Sequence, residues 1–259
     1  MLADVLDRDG AELPATETKQ RNLANADHLG ILHAIWTAET TAARNNRYRD
    51  LVLAALPPGH QQDLSSGARW LFLTLHNAEL AGLDPADVLH TAVASRDLAG
   101  ARDIAAVLHA RIRPRVHPIL PQPQGPWTSR IPRLPDPARQ AYLAEIAAQM
   151  DDRIRRLGQH TASTAPGWAV NALGPVPADP AAGRAWQTKA AWIAAYREMY
   201  NYSHPDDPIG PEPGRQTPDQ RAAWHQAFAV LGPADGLDVR AMPDGRLWLV
   251  RDTYAAETA

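Results

Sequence analysis

Residues 184–213, RAWQTKAAWIAAYREMYNYSHPDDPIGPEP, and residues 222–233, AAWHQAFAVLGP, decide how the chain is read. Trp186, Ile193, Tyr196 and Tyr200 recur at helical spacing, as do Trp224, Phe228 and Leu231. Asp179-Pro180 and Thr217-Pro218 each place a capping residue before a proline suited to the first helical position. Between the two helices, Pro205, Pro208, Pro211 and Pro213 stiffen a loop. The segment predicts aromatic-bearing helices around a rigid connection and supplies no complete catalytic motif.

Working toward the N-terminus, the same period recurs. Leu143, Ile146, Met150, Ile154 and Leu157 predict a helix with Gly158 as its stop. Leu29, Leu32, Trp36, Tyr48, Leu51 and Leu56 predict another, broken at Pro57-Pro58-Gly59. Ser65 or Ser66 caps a helix bearing Trp70, Leu73 and Leu80, closed by Gly82; Asp84-Pro85 opens the next. Ile104, Val107, Leu108 and Ile112 mark a further one. Leu2–Gly10 reads as a short helix, and the strands around Asp244-Gly245 read as a C-terminal β-hairpin. Both ends read as cut, so a fragment of a longer polypeptide is expected.

The expected fold is therefore mainly α, with two helical subdomains and a small C-terminal hairpin. An N-terminal subdomain spans 1–113, a Pro/Arg-rich linker 114–137, and a second subdomain 138–259. Eight prolines between Pro114 and Pro137 predict extended chain with no persisting helix.

Composition narrows the chemistry. The 259 residues include no cysteine, which excludes disulfides, thiol catalysis and thiolate-held metals. The ten histidines form no chelating H-x-x-x-H or H-E-x-x-H pattern, so no metal and no cofactor is expected. The phosphate-cradling G-x-x-x-x-G-K-[ST] motif is absent from the sequence. No apolar run is long enough for a membrane span and residues 1–30 lack a signal-peptide pattern; no membrane insertion and a cytoplasmic setting are expected.

With a net charge of −3, any contact with nucleic acid must use a local patch. The strongest local charge runs from Arg102 to Arg133, with six arginines against Asp103 alone, a net of +5. Arg111, Arg113, Arg115, Arg130 and Arg133, with Trp127 to stack on a base or an arginine, form the candidate DNA-binding strip. The bland reading is a solvated linker in an arginine-favouring composition; arginine outnumbers lysine twelve to one, since only Lys19 and Lys189 occur. Tyr200, Tyr202, His204, Asp206 and Asp207 juxtapose phenols, an imidazole and carboxylates, which is transesterase chemistry on paper. The competing reading is structural, with Tyr200 packed on Tyr196 and an aspartate satisfying turn backbone. The tryptophans, Trp70, Trp168, Trp186, Trp192, Trp224 and Trp248 among them, mostly fall on apolar stripes and are expected in the core.

The segments LADVLDRDG (2–10), DHLGILHAIW (27–36), LAGARDIAAVL (98–108), AAQMDDRIRRLG (147–158), ALGPVP (172–177) and DGRLWLVRD (244–252) occur in an order that resembles the C-terminal region of MobF (TrwC/TraI-like) conjugative relaxase–helicases. The resemblance covers nearly the whole chain. It implies a non-catalytic accessory module located after the helicase part. Its implied partners are the rest of that polypeptide, single-stranded DNA and transfer-apparatus proteins. Nickase histidines, nucleophile and Walker motif are missing, so no functional residue carries over. Two alternatives remain: a stand-alone enzyme acting through Tyr202, His204 and Asp206, and a structural domain docking on the helicase part.

Overall fold

Helix starts follow the capping chemistry at several aspartates, whereas Thr217, expected to cap the helix at Pro218, makes no side-chain capping bond and donates instead to the Gly214 carbonyl. The computed structural model describes residues 27–57, 68–98 and 100–231. Among them are eight α-helices and no strand: α1 Leu29–Ala55, α2 Ala68–Leu80, α3 Pro85–Ala94, α4 Ile104–Val116, α5 Pro137–Thr164, α6 Gly167–Leu173, α7 Pro180–Met199 and α8 Pro218–Ala229. A 3-10 turn occupies Trp127–Arg130. The protein is mainly helical. Asp84, Asp136 and Asp179 accept from the backbone N–H of Ala86, Ala138 and Ala182, each at 2.8 or 2.9 Å, and a proline follows each cap. Gly82, at φ 79°, closes α2 in the left-handed region that a side chain disfavours. The helix expected at Leu2–Gly10, the Ser65 or Ser66 cap and the C-terminal hairpin lie outside the described residues.

Burial groups the helices around three apolar clusters. Tyr48 and Val52 of α1 join Leu71, Leu75, Leu89, Ile104, Leu108 and Ile112 from α2, α3 and α4. The other end of α1 (Leu29, Leu32 and Trp36) packs with Trp127, Leu143, Met150, Ile154 and Met199 from the turn, α5 and α7. Trp168, Trp186, Ile193, Tyr196, Ile209 and Trp224 unite α6, α7 and α8. At 27 residues, α1 is about 40 Å long, so it reaches from the first cluster into the second. The second cluster thus takes residues from both sides of the 114–137 segment.

Three local expectations are corrected. Gly158 does not stop its helix: α5 continues to Thr164. A Cβ at Gly158 would lie 2.7 Å from the Gln187 carbonyl and 2.8 Å from Ala191 Cβ, so the glycine is a point of close approach between α5 and α7. Helix does persist past Pro114, because this proline falls in the last turn of α4, where its missing N–H removes one hydrogen bond and little helix remains to disrupt. Trp70 does not join the core; it is 57% exposed. The short helix α6 carries no strong periodicity or side-chain cap and was not legible in the sequence.

Candidate functional site

The side of α1 between its two clusters faces a groove. One end is a chamber of about 600 Å³ walled by α1, α2, the 124–133 segment, the end of α7 and the start of α8. The other is an outer cleft of about 980 Å³ between α1 and the starts of α2 and α8. His33, Arg44, His76, Tyr200 and Asp219 line both, forming a waist between them.

The waist is held by charge. His76 Nε2 lies 2.7 Å from Asp219 Oδ1, and Arg44 Nη1 lies 3.7 Å from the same oxygen. Arg44 Nη1 also comes within 3.1 Å of His76 Nε2. That nitrogen cannot both donate to Asp219 and accept from Arg44; the shorter contact assigns it as the donor to the carboxylate. Burial works to raise the Asp219 carboxyl, but the His76 hydrogen bond and the nearby cations outweigh it and hold it at about 2. Beside it, Glu79 accepts from the Tyr48 hydroxyl at 2.5 Å and from Arg47 at 2.5 Å.

The chamber's far wall is built differently. Trp127 is buried against Trp36 and His33, with ring centroids 5.4 and 5.7 Å away. The Arg130 guanidinium lies over the Trp127 ring, 4.3 Å from its centroid. Its Nε donates to the Gly125 carbonyl at 2.8 Å and its Nη2 to Gln226 Oε1 at 3.1 Å, both neutral acceptors. Burial pulls the guanidinium down to about 10, which leaves it charged at neutral pH. Asp151 is the nearby anion, but its oxygens accept from Trp127 N, Thr128 N and Thr128 Oγ1, tying the turn to α5. The Tyr200 hydroxyl is buried and without a hydrogen-bond partner. Burial pushes this phenol well above its ordinary value, so it remains a protonated donor.

The outer cleft is exposed and cationic. Arg44, Arg49 and Arg69 line it with Trp70, Asn45 and Asn46, and among the described residues Asp219 is its one carboxylate. The surface continues onto α4. Thr74 Oγ1 donates to the Trp70 carbonyl at 3.0 Å and lies 2.8 Å from His109 Nδ1. One turn further on α4 comes exposed Arg113, then His117, whose Nδ1 lies 3.2 Å from Nη1 of Arg215. Gln216, the next residue, lines the cleft again. Arg49 and Arg69 line the cleft itself, and exposed Arg113 and Arg215 lie near it.

The structure redistributes the arginine strip. Arg111 turns inward and donates to the carbonyls of Ala92, Arg96 and Asp97, closing the end of α3. Trp127 and Arg130 pack on each other in the chamber wall. Arg113, Arg115 and Arg133 are exposed, with Arg133 at the chamber mouth and Arg113 beside the outer cleft. Arg44, Arg47, Arg49 and Arg69 lie outside the 102–133 run. The i, i+3 and i+5 spacing of Arg44, Arg47 and Arg49 on one predicted helix was the available signal.

The tyrosine–histidine–aspartate loop is organised on Arg197. Its guanidinium donates to the carbonyls of His204, Asp207 and Pro208, and lies over the rings of Trp168 and Tyr202, 4.8 and 5.2 Å from their centroids. His204 Nδ1 accepts from Asp207 N at 2.9 Å, and Asp207 Oδ1 accepts from Gly210 N at 2.9 Å. His204 and Asp206 are exposed, and Tyr200 packs on Tyr196 with ring centroids 5.2 Å apart. Burial and the adjacent Asp207 raise the Tyr202 phenol to about 12. Among the described residues these groups build a turn, with His204 and Asp206 facing solvent.

Among the described residues no three His, Asp or Glu side chains gather to hold a metal ion, and no helix is long and apolar enough to cross a membrane. Comparison with protein-family models, curated proteins and solved structures gives no match.

Proposed function

We propose that this protein is a non-catalytic accessory module that contacts single-stranded DNA, of the kind that follows the helicase part of conjugative relaxases, and that it serves plasmid DNA processing or transfer in the cytoplasm. The observation carrying this reading is the exposed cleft lined by Arg49, Arg69 and Trp70, with exposed Arg113 and Arg215 nearby on α4 and before α8. Guanidinium groups spaced along a groove follow a phosphate backbone, and an exposed indole offers a face to an unpaired base. The starts of α2 and α8 border the same cleft, and their backbone N–H groups add to its positive field. The resemblance of the ordered sequence segments to the C-terminal region of relaxase–helicases favours DNA over other polyanions. The remaining relaxase–helicase polypeptide and transfer-apparatus proteins are the partners this reading implies.

The test is fluorescence anisotropy with a labelled oligothymidine of about 20 nucleotides, titrated at low and moderate salt. Binding should weaken steeply as salt rises. Replacing Arg49, Arg69 and Arg113 together by alanine should cost about tenfold or more in affinity and flatten the salt dependence. Absence of binding at low salt, or binding indifferent to the triple substitution, refutes the proposal.

A further inference from the structure

The inner chamber has a charge balance that its own residues leave open. Four arginines line it, Arg44, Arg47, Arg130 and Arg133, against two carboxylates, Glu79 and Asp219. Both carboxylates are engaged: Glu79 with Arg47 and the Tyr48 hydroxyl, Asp219 with His76 and Arg44. Neither Arg130 nor Arg133 forms an ion pair with a carboxylate among the described residues. A half-buried guanidinium supported only by neutral acceptors is an uncommon arrangement, because desolvating a cation is costly without a counter-charge. Tyr200 is part of the same lining, its hydroxyl enclosed and without a partner. Among the described residues this lining thus keeps two guanidiniums without a carboxylate partner, offset only from a distance by Asp151.

We infer that this chamber is a binding site for a phosphate monoester. Such a group carries about −1.5 to −2 charge at neutral pH, which matches the two unpaired guanidiniums. A carboxylate would neutralise only one of them. Arginine forks bind phosphate oxygens in pairs, and Arg133, exposed at the mouth, is placed to meet the group as it enters. At about 600 Å³ the chamber is large enough for one nucleotide unit. The monoester has two sources: the terminal phosphate of a strand lying in the outer cleft, which rests on the DNA reading above, or a free nucleotide, which does not.

Isothermal titration of the full chain separates these. The probes are inorganic phosphate, thymidine monophosphate against thymidine, and a ten-nucleotide oligothymidine with and without a 5′-phosphate. The phosphorylated member of each pair should bind about tenfold tighter, and Arg133→Gln should abolish that preference with the melting temperature unchanged. Arg49→Ala with Arg69→Ala should weaken both oligonucleotides while keeping the preference. A larger phosphate effect in the oligonucleotide pair marks a strand end as the source; an equal effect marks a free nucleotide. If the monophosphate binds but the 5′-hydroxyl oligonucleotide does not, the strand reading fails and the chamber site stands. Equal affinity within both pairs, or an undiminished preference in Arg133→Gln, overturns the inference.

Discussion

His76 Nε2 on α2 donates to Asp219 Oδ1 in the first turn of α8 across 2.7 Å, joining residues 143 positions apart. This contact separates the chamber from the outer cleft and ties the last described helix to α2. Asp219 also has a favourable position near the start of α8, where the helix dipole stabilises a negative charge.

Acid should loosen this junction. The Asp219 carboxyl is held at about 2, below the ordinary 3.8, so its contribution is complete above about pH 4 and is lost as pH falls toward 2. The side chain is 37% exposed, so screening limits that contribution to about 1 kcal/mol. Asp219→Asn should lower stability by about that amount at neutral pH and reduce the loss of stability between pH 4 and 2. Urea unfolding at a series of pH values measures both. An unchanged pH profile would show that the ion pair contributes nothing.

Gly158→Ala should destabilise, although alanine is ordinarily the better helix former. The added methyl meets the Gln187 carbonyl and Ala191, and α5 must move off α7 to accept it. Overpacking of this kind costs about 1–3 kcal/mol, more than the helix propensity gained. Denaturant titration reads the sign directly.

Tyr200→Phe should leave stability unchanged or raise it by about 1 kcal/mol, because it deletes a buried hydroxyl with no partner. Thermal melting distinguishes this from the loss expected if the hydroxyl were hydrogen-bonded.

Arg197→Ala should cost about 2 kcal/mol or more, since three backbone carbonyls of the 204–208 turn lose their donor. His204→Ala removes only exposed turn contacts and should cost less. Reversal of that order in chemical denaturation would contradict the assignment of Arg197 as the centre of the loop.

Trp70→Ala should weaken single-stranded DNA binding by about 1–3 kcal/mol while the melting temperature stays put, because the indole is 57% exposed. Quenching of tryptophan emission on adding the oligonucleotide, absent in the variant, gives an independent readout.

Much of the helix plan was legible. The Asp84 and Asp179 caps with their following prolines mark starts that depend on contacts two or three residues away, whereas the Asp136-Pro137 start lies inside the segment read as linker. The aromatic stripe from Trp186 to Tyr196 lies inside, as its spacing implied. Gly158 was misread because a glycine that ends a helix and one that admits a neighbouring helix look alike until Ala191 is placed against it. The candidate site was legible in residue type and only partly in membership. Arg113 and Arg133 remain exposed, while Arg111 and Arg130 are drawn inward by carbonyls that a linear scan cannot pair with them.

By itself the sequence determined the helical class, most helix limits and the absence of thiol chemistry, all matters of residue type or of interactions within one or two turns. Tertiary structure alone decided which charges are compensated. Arg153 meets Glu198, and Arg156 meets Asp27, at separations of 45 and 129 residues, whereas Arg130 and Arg133 find no carboxylate partner among the described residues. The reason is that helix formation is governed by near neighbours along the chain, while the availability of a charge depends on what folding brings within a few ångströms of it.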